Sequence, residues 1–188
     1  MAQLIAASSW VEPTLQVKDQ GNILSFHIQD AFNYHGYDAV GGVVLGFRLL
    51  QKALSVFQSS PDTLIERREI SLLTAFPGLG ARDCFELVTR IATENRIEVQ
   101  TDMQIDVPYP DVVQGVAGSF YFEFHYKNQT LRLSTMPGAP SPIFVQLGKV
   151  SKKPNVSAQE QLAWLNAKYE LANALLSSHY DAVIRVLT

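Results

Sequence analysis

The residue pattern predicts an α+β fold in which a mixed sheet is covered by helices on one face, and three observations carry that expectation. A long apolar stretch recurs at helical spacing, several short runs alternate as strands do between turn-forming residues, and a capped amphipathic segment lies towards the C-terminal end.

Taken in order, Leu15-Gln16-Val17 and Ile23 to Ile28 are short extended runs separated by Asp19-Gln20-Gly21-Asn22, which is turn chemistry and predicts a hairpin. After the polar segment Asn33 to Asp38, Val43, Phe47, Leu50, Leu54 and Phe57 recur at helical spacing while Val44, Leu45, Leu49 and Ala53 fill the opposite side. A helix apolar around most of its circumference is expected to be central and buried. Gly41, Gly42 and Gly46 fall inside it, each costing about 1 kcal/mol relative to alanine, so another backbone or a ligand is expected to approach closely. Ser59-Ser60-Pro61-Asp62 ends this helix.

Glu69 to Phe76 reads as a strand stopped by Pro77-Gly78-Leu79-Gly80, and Cys84, Leu87, Val88 and Ile91 mark a second helix running towards Asn95. From Ile97 to Asp106 the alternation of Val99, Thr101, Met103 and Ile105 with Glu98, Gln100, Asp102 and Gln104 predicts an edge strand with one wet face. Phe120, Phe122, Phe124 and Tyr126 alternate with Tyr121, Glu123 and His125, and Lys127-Asn128-Gln129 turns this run into Thr130 to Ser134. Residues 137–156, rich in Pro, Gly and Ser, read as a connector, and Ser157 with Glu160 forms a capping box that opens a C-terminal helix over 157–178. That helix must pack on its own domain or on a second copy. The core, 26–134, thus runs helix, strand, helix, three strands, within a single domain spanning 1–188.

Net charge of −3 and a hydrophobic fraction of 47% against 18% charged residues describe a folding, globular chain without the basic footprint of a nucleic-acid binder. Arg67-Arg68 and Lys152-Lys153 are isolated pairs and read as solvated surface. A single cysteine, Cys84, excludes an intrachain disulfide and a cysteine-rich zinc site, and is consistent with a reducing compartment. Met1 to Trp10 lacks the basic start and long apolar run of a signal peptide, and no stretch reaches the roughly 20 apolar residues of a membrane span. A soluble cytoplasmic protein is expected.

Chemistry concentrates in Asn33-Tyr34-His35-Gly36-Tyr37-Asp38, ahead of the central helix, where free N–H groups favour an anion. In one reading Asp38 caps the helix, Gly36 makes the turn and His35 is a bonded loop residue. In the other, His35 is a general acid or base assisted by Tyr37 or Asp38. The turn Pro77 to Ala81 lacks the residues of either common nucleotide-binding loop, and Cys84 at a helical core position reads as a small hydrophobe.

The run His35-Gly36-Tyr37-Asp38-Ala39-Val40-Gly41-Gly42, followed by Leu45-Gly46-Phe47-Arg48, resembles the signature of the FmdE-like family, named for a component of formylmethanofuran dehydrogenase: His-Gly-His-x-Cys-Pro-Gly followed by Leu-Gly-Tyr-Arg on a long helix. Asp83 matches a shared Asp of that family, and Phe120 to Leu133 resembles its aromatic strand and hairpin, so the likeness covers Phe26 to Ser134. Here Tyr37 and either Ala39 or Val40 stand where the family has its second His and its Cys, and the zinc-ribbon tail of larger members is replaced by the capped helix. The resemblance implies a helix-strand-helix-three-strand core, a homodimer, and a divalent metal such as zinc on His35. Gly36, Gly41, Gly42 and Arg48 make up the candidate cofactor-binding set. The leading expectation is a module that binds a small molecule or metal near His35, beside the glycine-rich helix face. An enzyme working through His35 and an accessory protein docking a partner enzyme through its C-terminal helix are the alternatives.

Overall fold

The computed structural model describes residues 14–60, 63–105 and 108–188. The readings placed on Met1 to Trp10, Pro61-Asp62 and Asp106 lie outside them. The expected N-terminal hairpin is present: β1 (Thr14–Asp19) pairs antiparallel with β2 (Asn22–His27). Both turn residues, Gln20 and Gly21, adopt positive φ (52° and 85°), which matches the twist of a two-residue hairpin.

The first half of the polar segment, Asn33 to His35, ends a helix, α1 (Ile28–His35), and Gly36 to Asp38 form the turn after it. Ile28, Ala31 and Phe32 bury one face, and the His27 N–H donates to Asp30 Oδ2 at 2.7 Å. Two turns are too short for periodicity to stand out against the polar Asn33 and His35. Gly36 ends α1 with φ of 93°, its N–H donating to the Phe32 carbonyl at 2.8 Å.

α2 (Val40–Phe57) is the central helix, buried almost all round. It is long and apolar enough by composition to cross a membrane, yet α3 (Leu79–Thr89) and α5 (Ala158–Leu176) pack along it and the sheet lies beneath. Asp38 does not cap it: the N-cap position is Ala39 and no side chain caps that end. The second helix stops at Thr89, earlier than Asn95, because Arg90 turns left-handed (φ 59°). Glu86 secures the turn that follows, accepting from the N–H groups of Ala92 (2.7 Å) and Thr93 (3.0 Å) and from the Thr93 hydroxyl (2.5 Å).

β3 (Ile70–Thr74), β4 (Ile97–Val99), β5 (Tyr121–Tyr126), β6 (Gln129–Thr135) and β7 (Ile184–Val186) form one mixed sheet of order β4-β3-β5-β6-β7, with only β3 and β4 parallel. Phe122 and Phe124 face the helices, where Phe85 of α3 meets both rings edge-on. β4 occupies the expected edge but stops at Val99. The apolar residues that continued its alternation, Met103 and Ile105, fold with Tyr109 and Val112 over the outer sheet face onto Ala75 and Tyr121. The connector contains α4 (Pro142–Val150), capped by Ser141 with Pro142 in its first turn, and the sheet is completed by β7 beyond the short helix α6 (Tyr180–Val183). Three residues carry too little pattern to announce a strand.

The α2 glycines are explained by neighbouring helices. A Cβ on Gly46 would stand 2.9 Å from Ala81 Cα, Ala81 O and Cys84 Cβ, one on Gly80 would stand 2.8 Å from Ala39 O, and one on Gly41 would press Leu171 at 3.1 Å. Gly42 has ordinary room, with α3 backbone at 3.4 Å. Gly46→Val is therefore expected to lose at least about 2 kcal/mol by overpacking, whereas Gly42→Ala is expected to be neutral or to gain up to ~1 kcal/mol of helix propensity; urea unfolding of the two variants checks both.

Burial opposes ionisation of Glu86, but its hydrogen bonds and Arg90 outweigh that and hold the carboxyl below its ordinary value of 4.5. A depressed carboxyl stabilises the fold above the unfolded value and loses that contribution as pH falls. Glu86→Gln is expected to be less stable at neutral pH and to show a shallower loss of stability between about pH 5 and pH 3 than the parent chain, measured by urea midpoints across that range.

Candidate functional site

His35 closes the last turn of α1, with its side chain only 8% exposed. Its Nδ1 meets Oδ2 of Asp83, on α3, at 2.7 Å. Its Nε2 lies 3.3 Å from Oδ1 of Asp38 outside hydrogen-bonding geometry, and has no hydrogen-bond partner among the described residues. Asp83 thus orients the ring and leaves Nε2 as the free position, the arrangement a general base needs, although Nε2 is buried beneath the exposed Asp38. Tyr37 is engaged elsewhere: its hydroxyl accepts from Gln29 Nε2 at 2.8 Å and its ring stacks on Phe32 with centroids 5.4 Å apart.

The donor set does not fit a resident zinc ion. The two carboxylates sit at opposite nitrogens of one imidazole, so they cannot share an ion with it, and among the described residues no three His, Cys, Asp or Glu side chains are grouped to hold a metal. Cys84 is fully buried, and burial followed by the nearby Asp83 charge pushes its thiol far up, out of the reactive range.

A cavity of about 220 Å³ opens beside this cluster. The starts of α2 (Gly41, Gly42) and α3 (Gly78, Leu79, Gly80) converge on it, and neither helix end is capped by a side chain or carries an acidic residue in its first turn. Phe76, Phe120, Phe144 and Trp164 supply aromatic wall, in two tilted pairs: Phe76 with Phe120 at 4.7 Å and Phe144 with Trp164 at 4.8 Å. Gly148 lets α4 lie against this wall, since a Cβ there would stand 2.4 Å from Val116 and 3.1 Å from Trp164.

Lys152 and Lys168 are the charged side chains of the wall. The Lys168 ammonium donates to the Asp38 carbonyl and lies 5.7 Å from the Trp164 ring centre. Burial lowers its pKa, partly offset by the Asp38 charge. Asp38 therefore stands between the cavity and the histidine, with its carbonyl on Lys168 and its carboxylate towards His35.

Of the residues singled out from sequence, Gly41 and Gly42 line the cavity, while His35, Gly36, Tyr37 and Asp38 lie beside it without forming its wall. Arg48 is elsewhere and structural: buried, it donates through Nε to Leu175 O (2.9 Å), through Nη2 to Leu176 O (3.0 Å) and through Nη1 to Gln51 Oε1 (2.7 Å), closing the end of α5. Sequence reasoning missed Phe144, Trp164 and Lys168. The spacing of Trp164 and Lys168, four residues apart on a helix, is a signal that places an aromatic and a cation on one face. Pro77 to Gly80, from the segment set aside for lacking a nucleotide motif, form one wall.

Comparison with known proteins returns no matching family model, no matching curated protein and no matching solved structure.

Removing the partner of a buried imidazole leaves it unsatisfied, whereas Asp38 is exposed and poorly aligned. Asp83→Ala is expected to cost ~1–3 kcal/mol and Asp38→Ala less than about 0.5 kcal/mol, read from chemical denaturation at neutral pH.

Proposed function

We propose that this chain is a small-molecule-binding protein, a divergent relative of the FmdE-like family, whose ligand lodges beside His35 in the cavity between the starts of α2 and α3. The observation that carries the reading is the cavity itself: concave, largely apolar, aromatic on two sides and built from five separate parts of the chain. Its volume of about 220 Å³ lies below that of drug-sized sites, which favours a compact ligand. The kinship rests on the His35-Gly36 and Leu45-Gly46-Phe47-Arg48 residues and on the element order from α2 to β6, which is the order the resemblance implies.

A second reading is favoured by one observation, the His35–Asp83 pair with an unbonded Nε2. In it, a bound molecule that displaces Asp38 exposes an oriented general base, and binding serves proton transfer.

Titration with hydrocinnamyl alcohol, a neutral aromatic probe of suitable size, is expected to shift the backbone amide resonances of Gly41, Gly42, Gly78 and Gly80 with a dissociation constant of about 1 mM or tighter. Saturation at those amides supports the cavity as a ligand site. Unshifted resonances there at ~10 mM probe, or shifts scattered over the surface, overturn it.

A further inference from the structure

Resting on the cavity reading above, the hydrogen-bonding character of the wall narrows the ligand. Its side chains other than plain hydrocarbon are Lys152, Lys168 and Trp164. All three donate hydrogen bonds and none accepts. The backbone ends that converge there, at the starts of α2 and α3, also present N–H groups. The Asp38 carbonyl, beside the cavity, is already occupied by Lys168.

The charge is also unbalanced. Among the described residues no carboxylate lines the cavity and neither lysine is in an ion pair. Lys168 is held half-buried against Trp164 with the neutral Asp38 carbonyl as its hydrogen-bond partner, and the Asp38 charge offsets only part of what burial costs its ammonium. An occupant that brings only acceptors and one negative charge satisfies both conditions at once. A neutral alcohol or amide would satisfy the apolar wall alone, and an amine would face two like charges.

We propose that the cavity binds a small organic carboxylate, its carboxylate held by Lys168 and the uncapped starts of α2 and α3, and its aromatic or branched apolar tail laid between Trp164, Phe144 and Phe120. Inorganic phosphate is disfavoured because it would leave the aromatic wall unused. Lys168 is the anchoring residue, since it is tethered at the cavity by Asp38 and Trp164, whereas Lys152 is exposed and contributes long-range attraction.

Isothermal titration calorimetry on the full chain compares hydrocinnamate with hydrocinnamamide, a pair matched in shape and differing in charge. Hydrocinnamate is expected to bind about tenfold or more tightly than the amide, Lys168→Met to abolish that preference, and Lys168→Arg to retain it. The circular dichroism spectrum and cooperative urea unfolding of Lys168→Met report that the variant's fold is intact. Equal binding of acid and amide, or tighter binding of the amide, overturns the carboxylate assignment while the cavity reading stands. A preference for the acid that survives Lys168→Met overturns Lys168 as its anchor. Failure of both probes, together with the neutral alcohol, overturns the cavity reading and the carboxylate with it.

Discussion

The close approach of α2 and α3 is the constraint on which the rest of the structure depends. Gly46 and Gly80 remove the side chains that would otherwise stand at the crossing, and the two backbones meet with Ala81 and Cys84 packed at the contact. Two consequences follow from that single approach. The helix starts are brought together at one end, which creates the cavity mouth, and Asp83 is carried to within hydrogen-bonding distance of His35 at the end of α1. Spreading these helices by one methyl group would loosen both places.

The C-terminal helix completes the site from the other side. α5 buries Ala167, Leu171, Ala172, Leu175 and Leu176 in the core of its own chain, and Arg48 closes its last turn by taking two carbonyls that have no partner within the helix. Trp164 and Lys168 lie closer to its N-terminus, so the depth at which α5 docks sets their position at the cavity. Arg48 is therefore a structural link between the central helix and a wall of the site, and its burial is matched by bonds to all three of its guanidinium nitrogens.

Much of the fold was legible along the chain because its elements are strongly patterned. The apolar circumference of α2, the aromatic alternation of β5 and the capping box of α5 each depend on neighbours within a few residues. The misses share a different cause. α1 and β7 are too short to show a period, α4 was hidden by its Pro- and Gly-rich surroundings, and Met103 and Ile105 alternate like a strand while packing as a covering loop. In the site, His35 stood out by residue type, whereas Asp83 entered only through resemblance and its partnership with His35 spans 48 positions.

By itself the sequence determined the fold class, the buried central helix, the β5–β6 hairpin and the fact that something must approach the glycine face. These are consequences of local periodicity and of what glycine omits. Only the tertiary structure decided that helices fill that approach, that Arg48 ends a helix, and that Pro77 to Gly80, Trp164 and Lys168 face one cavity. The physical reason is that a wall whose polar side chains are all donors is a property of groups far apart in the chain, and their charge balance exists only once packing has excluded water and set which partners each can reach.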